Sequence, residues 1–226
     1  MLTDDPGTPG SGAWEINVAY LEQRTEQEWL RSFPHVDFNY GLGERIQLKF
    51  ETGWVFATAP GSGGVKSGWD DSLFGVKWRF LDQERSGVDM SVYPQVQVQT
   101  STGSVAQGIA EPGPNLFLPV EIARDFGKIR LVGEAGYQYF RTQENQWVVG
   151  VLGALEVSDA LELLAEVRSY TERPVNRGEV LVNLGLRRAL SSRLKLLASA
   201  GTGLGNGPDP TTFIAYLGVQ LLLGGK

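Results

Sequence analysis

Hydrophobic and polar positions alternate with a period of two along most of the chain. Between Arg45 and Phe56 the odd positions read Arg45, Gln47, Lys49, Glu51, Gly53 and Val55, and the even ones Ile46, Leu48, Phe50, Thr52, Trp54 and Phe56. Successive side chains of an extended strand point to opposite sides, so one face is polar and the other apolar. The stretch from Val88 to Val98 repeats the split, with Val88, Met90, Val92, Pro94, Val96 and Val98 set against Asp89, Ser91, Tyr93, Gln95, Gln97 and Gln99. Helical periodicity is absent apart from an ambiguous stretch around Leu161 to Val167.

This rhythm predicts about twelve strands, each close to the roughly 9–11 residues that cross a bilayer at a barrel's tilt. They fall near residues 13–22, 28–40, 44–57, 71–82, 87–100, 114–125, 127–141, 146–157, 160–171, 178–189, 192–201 and 211–222. Tight connections at Gly41-Leu42-Gly43, Leu81 to Gly87, Asp125-Phe126-Gly127, Ser158-Asp159 and Ser191-Ser192 alternate with longer ones. The longest are Pro60 to Trp69, Ser101 to Gly113 and Gly201 to Pro210.

Two folds share this period. A soluble sandwich packs its apolar faces on each other and mixes its loop lengths. A membrane barrel turns the apolar face to lipid and the polar face to the lumen, with short periplasmic turns alternating with longer extracellular loops. The alternation of loop lengths favours the barrel. So do aromatic residues near strand ends, among them Trp14, Tyr20, Tyr40, Trp54, Trp78, Tyr139, Trp147 and Phe213, where interfacial girdles sit. The expectation is an all-β fold, a single closed antiparallel transmembrane β-barrel over residues 1–226. An even strand count puts both termini on the periplasmic side, with residues 1–12 a periplasmic N-terminal segment.

Composition narrows the chemistry. There is no Cys among the 226 residues, which excludes disulfides, thiolate nucleophiles, Cys-ligated metals and c-type haem attachment. One His, His35, cannot supply a multi-His metal site, and a formal net charge of −6 lacks the basic field that nucleic-acid binding needs. No cofactor, metal or nucleic-acid partner is expected. Met1-Leu2-Thr3-Asp4-Asp5-Pro6-Gly7 has neither a basic nor an apolar region and is not a signal peptide, so an exported chain would already have lost one.

Three stretches carry a resemblance to a known family. They are Asp5-Pro6-Gly7-Thr8-Pro9-Gly10 followed by Trp14-Glu15-Ile16-Asn17, then Asp37-Phe38-Asn39-Tyr40-Gly41-Leu42-Gly43-Glu44-Arg45-Ile46-Gln47-Leu48-Lys49, and Asp71-Ser72-Leu73-Phe74-Gly75-Val76-Lys77-Trp78-Arg79-Phe80. They resemble bacterial outer-membrane barrels labelled as transporter-like or as phenol-degradation meta-pathway proteins. The resemblance implies an outer-membrane location, contact with membrane lipid and lipopolysaccharide, and uptake of small, aromatic or amphiphilic molecules. One departure is the end of the chain, Leu221-Leu222-Leu223-Gly224-Gly225-Lys226, where such barrels usually carry a terminal aromatic residue.

The candidate chemistry lies on the polar face. Gly61-Ser62-Gly63-Gly64-Val65-Lys66-Ser67 is not a phosphate-binding loop, because Val65 replaces the Gly needed before the Lys and no helix follows. His35 and Asp37 share a strand face, as a carboxylate-oriented imidazole would, yet no Ser is visibly paired with them. Tracing strand directions brings Arg45, Lys49, Lys77, Arg79, Arg130, Arg187 and Lys195 to one level of the lumen. Asp37, Glu121, Glu134, Glu162 and Glu166 reach the same level. This belt reads either as a salt-bridged filling or as a charge-selective constriction. Towards the outside, Phe33, Tyr93, Phe117, Phe140, Tyr170 and Tyr216 stand among Gln95, Gln97 and Gln138, either as a vestibule for flat solutes or as packing for folded-in loops.

The reading is a passive outer-membrane channel that catalyses no chemistry. Its alternatives are a barrel-embedded enzyme using His35 and a plugged structural barrel without transport.

Overall fold

A computed structural model describes all residues except 62, 173–177, 206–209 and 225–226, and the side chain of Glu172. The strands are β1 (Trp14–Arg24), β2 (Trp29–Leu42), β3 (Ile46–Thr58), β4 (Lys66–Trp69), β5 (Ser72–Leu81), β6 (Asp89–Val92), β7 (Gln95–Val98), β8 (Asn115–Phe126), β9 (Ile129–Tyr139), β10 (Gln146–Ser158), β11 (Leu161–Glu172), β12 (Gly178–Ala189), β13 (Leu194–Gly205) and β14 (Phe213–Leu223). Two short helices, α1 (Gln83–Ser86) and α2 (Thr102–Gln107), lie in connections.

The fourteen segments make twelve barrel strands. β6 and β7 are one strand interrupted at Tyr93-Pro94, where proline has no N–H to give the ladder. The register on β5 runs unchanged across the break, from Trp78↔Val92 to Phe74↔Val96. β4 is extra: it folds back on the upper half of β3, pairing Ala57 with Lys66 through to Trp54 with Trp69. The expected loop from Pro60 to Trp69 thus contains a hairpin, although Ser62 lies outside the described residues. Lys66 opens the strand β4.

Closure comes from β1 and β14, which pair antiparallel over eleven residues from Trp14↔Leu223 to Arg24↔Phe213. All barrel neighbours are antiparallel. The turns 43–45, 82–88, 127–128, 159–160 and 190–193 open at the end where β1 starts and β14 finishes. The longer connections, including α2 and the β4 hairpin, cluster at the opposite end. Part of the loop from Gly201 to Pro210, residues 206–209, lies outside the described residues.

Burial inverts the soluble pattern. Phe74, Val76, Trp78, Leu118, Val151, Leu184 and Leu217 are exposed, whereas Asn17, Gln47, Lys77, Glu121, Glu134, Glu166, Arg168 and Asn183 are buried. Polar inside and apolar outside is stable only with hydrocarbon around it. The ambiguous stretch from Leu161 to Val167 obeys the same alternation, with Leu164 and Glu166 inward and Leu163 and Val167 exposed.

Residues 1–12 depart from expectation. They do not stay outside the barrel: Gly10 and Gly12 cross its short-turn end beside Gly41, and residues 1–5 run into the lumen. Met1 packs there on Ala123, Val132, Leu152, Ala154 and Leu164.

The facing assignment has a direct test. Val151→Arg puts a charge on the outward face halfway along β10 and should cost ~2–4 kcal/mol of folding free energy in a bilayer. Gln138→Arg, on the inward face, should cost little. Urea titrations in liposomes compare the two, and equal costs would sink the assignment.

Candidate functional site in the barrel lumen

The wall presents acceptors to a segment whose backbone has spare donors. Glu166 accepts from the Leu2 amide at 2.9 Å and from the Thr3 amide, and its other contact is the Asn183 amide group at 2.8 Å. Glu134 accepts from the Asp4 amide at 3.3 Å and pairs with Arg168 at 2.6 Å. Arg168 donates to the Leu2 carbonyl at 2.8 Å. Lys77 donates to the Asp4 carboxylate at 3.0 Å and to the Asp5 carbonyl, and stands 3.3 Å from Glu121. The segment approaches β10 so closely that a Cβ at Gly150 would run into the Thr3 side chain.

Several expected belt residues are therefore anchors. Lys77, Glu121, Glu134 and Glu166 are lumenal but enclosed, with relative exposures of 1%, 0%, 4% and 1%. Taking Lys77 and Glu121 out of water is costly, and the arrangement holds because each meets an opposite charge. The Lys77 ammonium also sits 4.5 Å from the centre of the Tyr93 ring.

Other belt residues sit elsewhere. Arg45 and Arg79 meet Asp82 at the short-turn rim, the latter at 3.2 Å. Arg130 spans Asp89 at 3.1 Å and Asp125 at 2.9 Å at the same end. They do not share one level with Lys49, because their positions close to the turns carry them to the rim. Glu162 and Arg187 pair at 3.0 Å. Asp37, Lys49, Arg187 and Lys195 do face the open cavity.

That cavity has a volume of about 770 Å³. Its floor is residues 1–5, and its upper wall includes Gln95, Gln97, Asn115, Phe117, Gln138, Gln146 and Tyr170. A smaller cavity of about 190 Å³ lies between the segment and the β1–β3 wall. The two share Asp4, Asp5, Glu15, Asp37 and Lys49 as lining, so they abut on that side of the segment. Lys49 is held 3.5 Å from Asp37 and 2.7 Å from Glu51.

Of the expected aromatic vestibule, Phe117, Tyr170 and Tyr216 line the large cavity. Tyr93 is inward but fully buried, its ring filling the space left by Gly75 and its hydroxyl accepting from Gln47 at 3.3 Å. Phe140 lies past the end of β9 and does not line the cavity. Phe33 points out of the barrel at 56% exposure, a correction to its lumenal placement. The cause is a bulge between Ser32 and His35, which inserts Phe33 and Pro34 against no partner and reverses the alternation.

The same bulge turns Ser32 and His35 to one face over Gly53. His35 Nε2 lies 3.1 Å from Glu51, while His35 Nδ1 and Ser32 Oγ are buried without partners. A Ser near His35 was not legible in the period, because the bulge hides it. Its hydroxyl does not line the cavity, although His35 and Glu51 do.

Above this wall, Asp70 docks the β4–β5 turn through its amide to the Gly53 carbonyl at 2.8 Å. Burial, with the Asp71 charge adding to it, pushes the Asp70 carboxyl up to about 6.

No protein-family model matches the chain, and no curated protein matches its sequence. Solved structures do match. The COG4313 outer membrane channel from Pseudomonas putida F1 superposes with a TM-score of 0.70 at 14% identity, over 99% of this chain and 100% of that one. The KdgM porin and the NanC porin each give 0.62, at 8% and 11% identity, over 91% of this chain and 98% of theirs. The fold is that of outer-membrane channels and porins.

Two outcomes follow from this geometry. Lys77→Met strands Glu121 and the Asp4 carboxylate and should destabilise the barrel by about 3–5 kcal/mol, most of it regained in Lys77→Met/Glu121→Leu; urea unfolding of the two variants measures this, and equal stability would refute it. The Asp70 carboxyl has a folded pKa above its free value of about 4, so ionising it opposes docking. Docking of the β4–β5 turn is then strongest below pH 4 and weakens as pH rises to about 6. Hydrogen-exchange protection at Trp69 should fall over that window in the wild type and stay flat in Asp70→Asn.

Proposed function

We propose that the protein is a passive channel of the outer membrane, with the short turns periplasmic, that admits small molecules along the crevice between residues 4–5 and the β1–β3 wall. The carrying observation is that the two cavities adjoin beside the N-terminal segment, with five lining residues in common. A closed barrel of twelve strands lies between the eight that side chains fill and the sixteen that leave a wide aqueous lumen. Here the segment narrows it further.

The lining supports a solute class. In the smaller cavity Asp5, Glu15 and Asp37 face Lys49, with Asp4 already paired to Lys77, so the local field favours cations. The vestibule above combines the Phe117, Tyr170 and Tyr216 rings with glutamine amides, which suits small aromatic or amphiphilic molecules. The neighbouring channels and porins support the transport reading.

A second reading, a plugged barrel without transport, is favoured by one observation: Glu134, Glu166, Arg168 and Lys77 all bond the segment. Single-channel recording in planar bilayers separates the two. The proposal expects small cation-selective steps from the full chain, with the reversal potential moving towards zero in Asp5→Asn/Glu15→Gln. A silent full chain that conducts only after residues 2–9 are deleted would instead establish the plugged barrel.

A further inference from the structure

The outward face of the β1–β2 hairpin, at the long-connection end, carries charge where a membrane barrel ordinarily carries aromatic and aliphatic residues. β1 buries Asn17 and Ala19 in the lumen, so Tyr20, Glu22 and Arg24 alternate outward. On β2, Ser32 pairs with the buried Val55 and points inward, so Trp29 and Arg31 point outward. The register sets Arg24 opposite Trp29 and Arg31 opposite Glu22.

The two guanidinium groups flank one ring. Arg24 lies 4.1 Å from the Trp29 centroid and 5.6 Å from that of Phe213, and Arg31 lies 4.4 Å from Trp29. Stacking fixes a guanidinium plane and leaves its edge free to donate. Glu22 takes the Arg24 Nε at 2.6 Å and the Tyr20 hydroxyl at 2.6 Å. Arg31 Nη2 donates to Thr58 at 3.1 Å. Both Nη groups of Arg24 and Nη1 of Arg31 have no protein acceptor among the described residues. Immediately below, towards the middle of the membrane, Phe33 and Leu217 are exposed at 56% and 55%.

We infer that this face binds the phosphorylated headgroup of an outer-leaflet glycolipid of the lipid A type. Planar guanidinium forks match phosphate oxygens, and the rings and aliphatic residues beneath offer a wall for acyl chains. Stacked arginines above an apolar wall suit an anion that is itself anchored in the bilayer. Glu26 and Glu28 in the adjoining turn oppose the anion, so their neutralisation should tighten binding. The inference rests on the membrane orientation proposed above but needs no conductance.

The experiment is native mass spectrometry of the full chain in detergent, titrated with bisphosphorylated lipid A. Binding should weaken by roughly tenfold or more in Arg24→Gln/Arg31→Gln, several-fold in Arg24→Lys/Arg31→Lys, and not at all in Arg124→Gln/Arg188→Gln at the opposite end of the barrel. Removing the lipid phosphates should weaken wild-type binding as the first pair does. Heat-modified electrophoretic mobility confirms that each variant is folded, and the Lys pair carries the comparison if the Gln pair is not. The inference fails if both ends contribute equally, if the dephosphorylated lipid binds as well, or if millimolar inorganic phosphate displaces the lipid. A barrel that binds lipid in this way yet passes no current would refute the channel reading alone. A conducting barrel whose lipid binding ignores both arginines would refute the lipid site alone.

Discussion

Hydrocarbon accepts no unpaired backbone amide, and every other feature of this chain follows from meeting that constraint with strands. A sheet has two open edges unless its first and last strands meet. The seam between β1 and β14 removes both, and its eleven pairs make it as long as the strands themselves. Closure also decides where polarity goes. With lipid outside, the charged side chains have one place left, and the lumen must then satisfy them in a confined space.

That second requirement explains the N-terminal segment. A lumen containing Lys77, Glu121, Glu134, Glu166 and Arg168 could be satisfied by water or by mutual pairing, but the carboxylates outnumber the cations at this level. A segment running through it supplies backbone amides, which donate to carboxylates without adding charge, and carbonyls for the cations. Asp4 then gives Lys77 a second counter-charge. The anchors and the segment stabilise each other, and the remaining open space is pushed to the β1–β3 side.

The period of two made the strands and their faces legible because lipid and lumen impose opposite demands on neighbouring residues, as Ile46 to Phe56 shows. It failed where the backbone breaks step. Counting back by twos from Asp37 puts Phe33 in the lumen, but the bulge at Phe33-Pro34 shifts the count and turns it to lipid. Alternation also gives a residue's side and not its surroundings: Tyr93 is inward yet buried beside Lys77. Residues 1–12 have no period at all. Their place is set by partners scattered over β5, β9 and β11, which become neighbours only once the barrel has closed.

The lumenal charges therefore divide by height into three jobs. At the rim, Arg45, Arg79 and Arg130 tie turns to strand ends through Asp82, Asp89 and Asp125. Such pairs are partly exposed and contribute modestly. In the middle, largely enclosed ions hold the segment, and of these Glu134 and Arg168 border the cavity. The charges that border open space are Glu15, Asp37, Lys49, Glu51, Arg187 and Lys195 on the wall, Asp4 and Asp5 on the segment, and the mutually paired Glu134 and Arg168. In the proposed channel selectivity comes from this last set, because a charge acts on a passing solute through the solvent that both share, while Lys77 and Glu121 are enclosed with partners about 3 Å away.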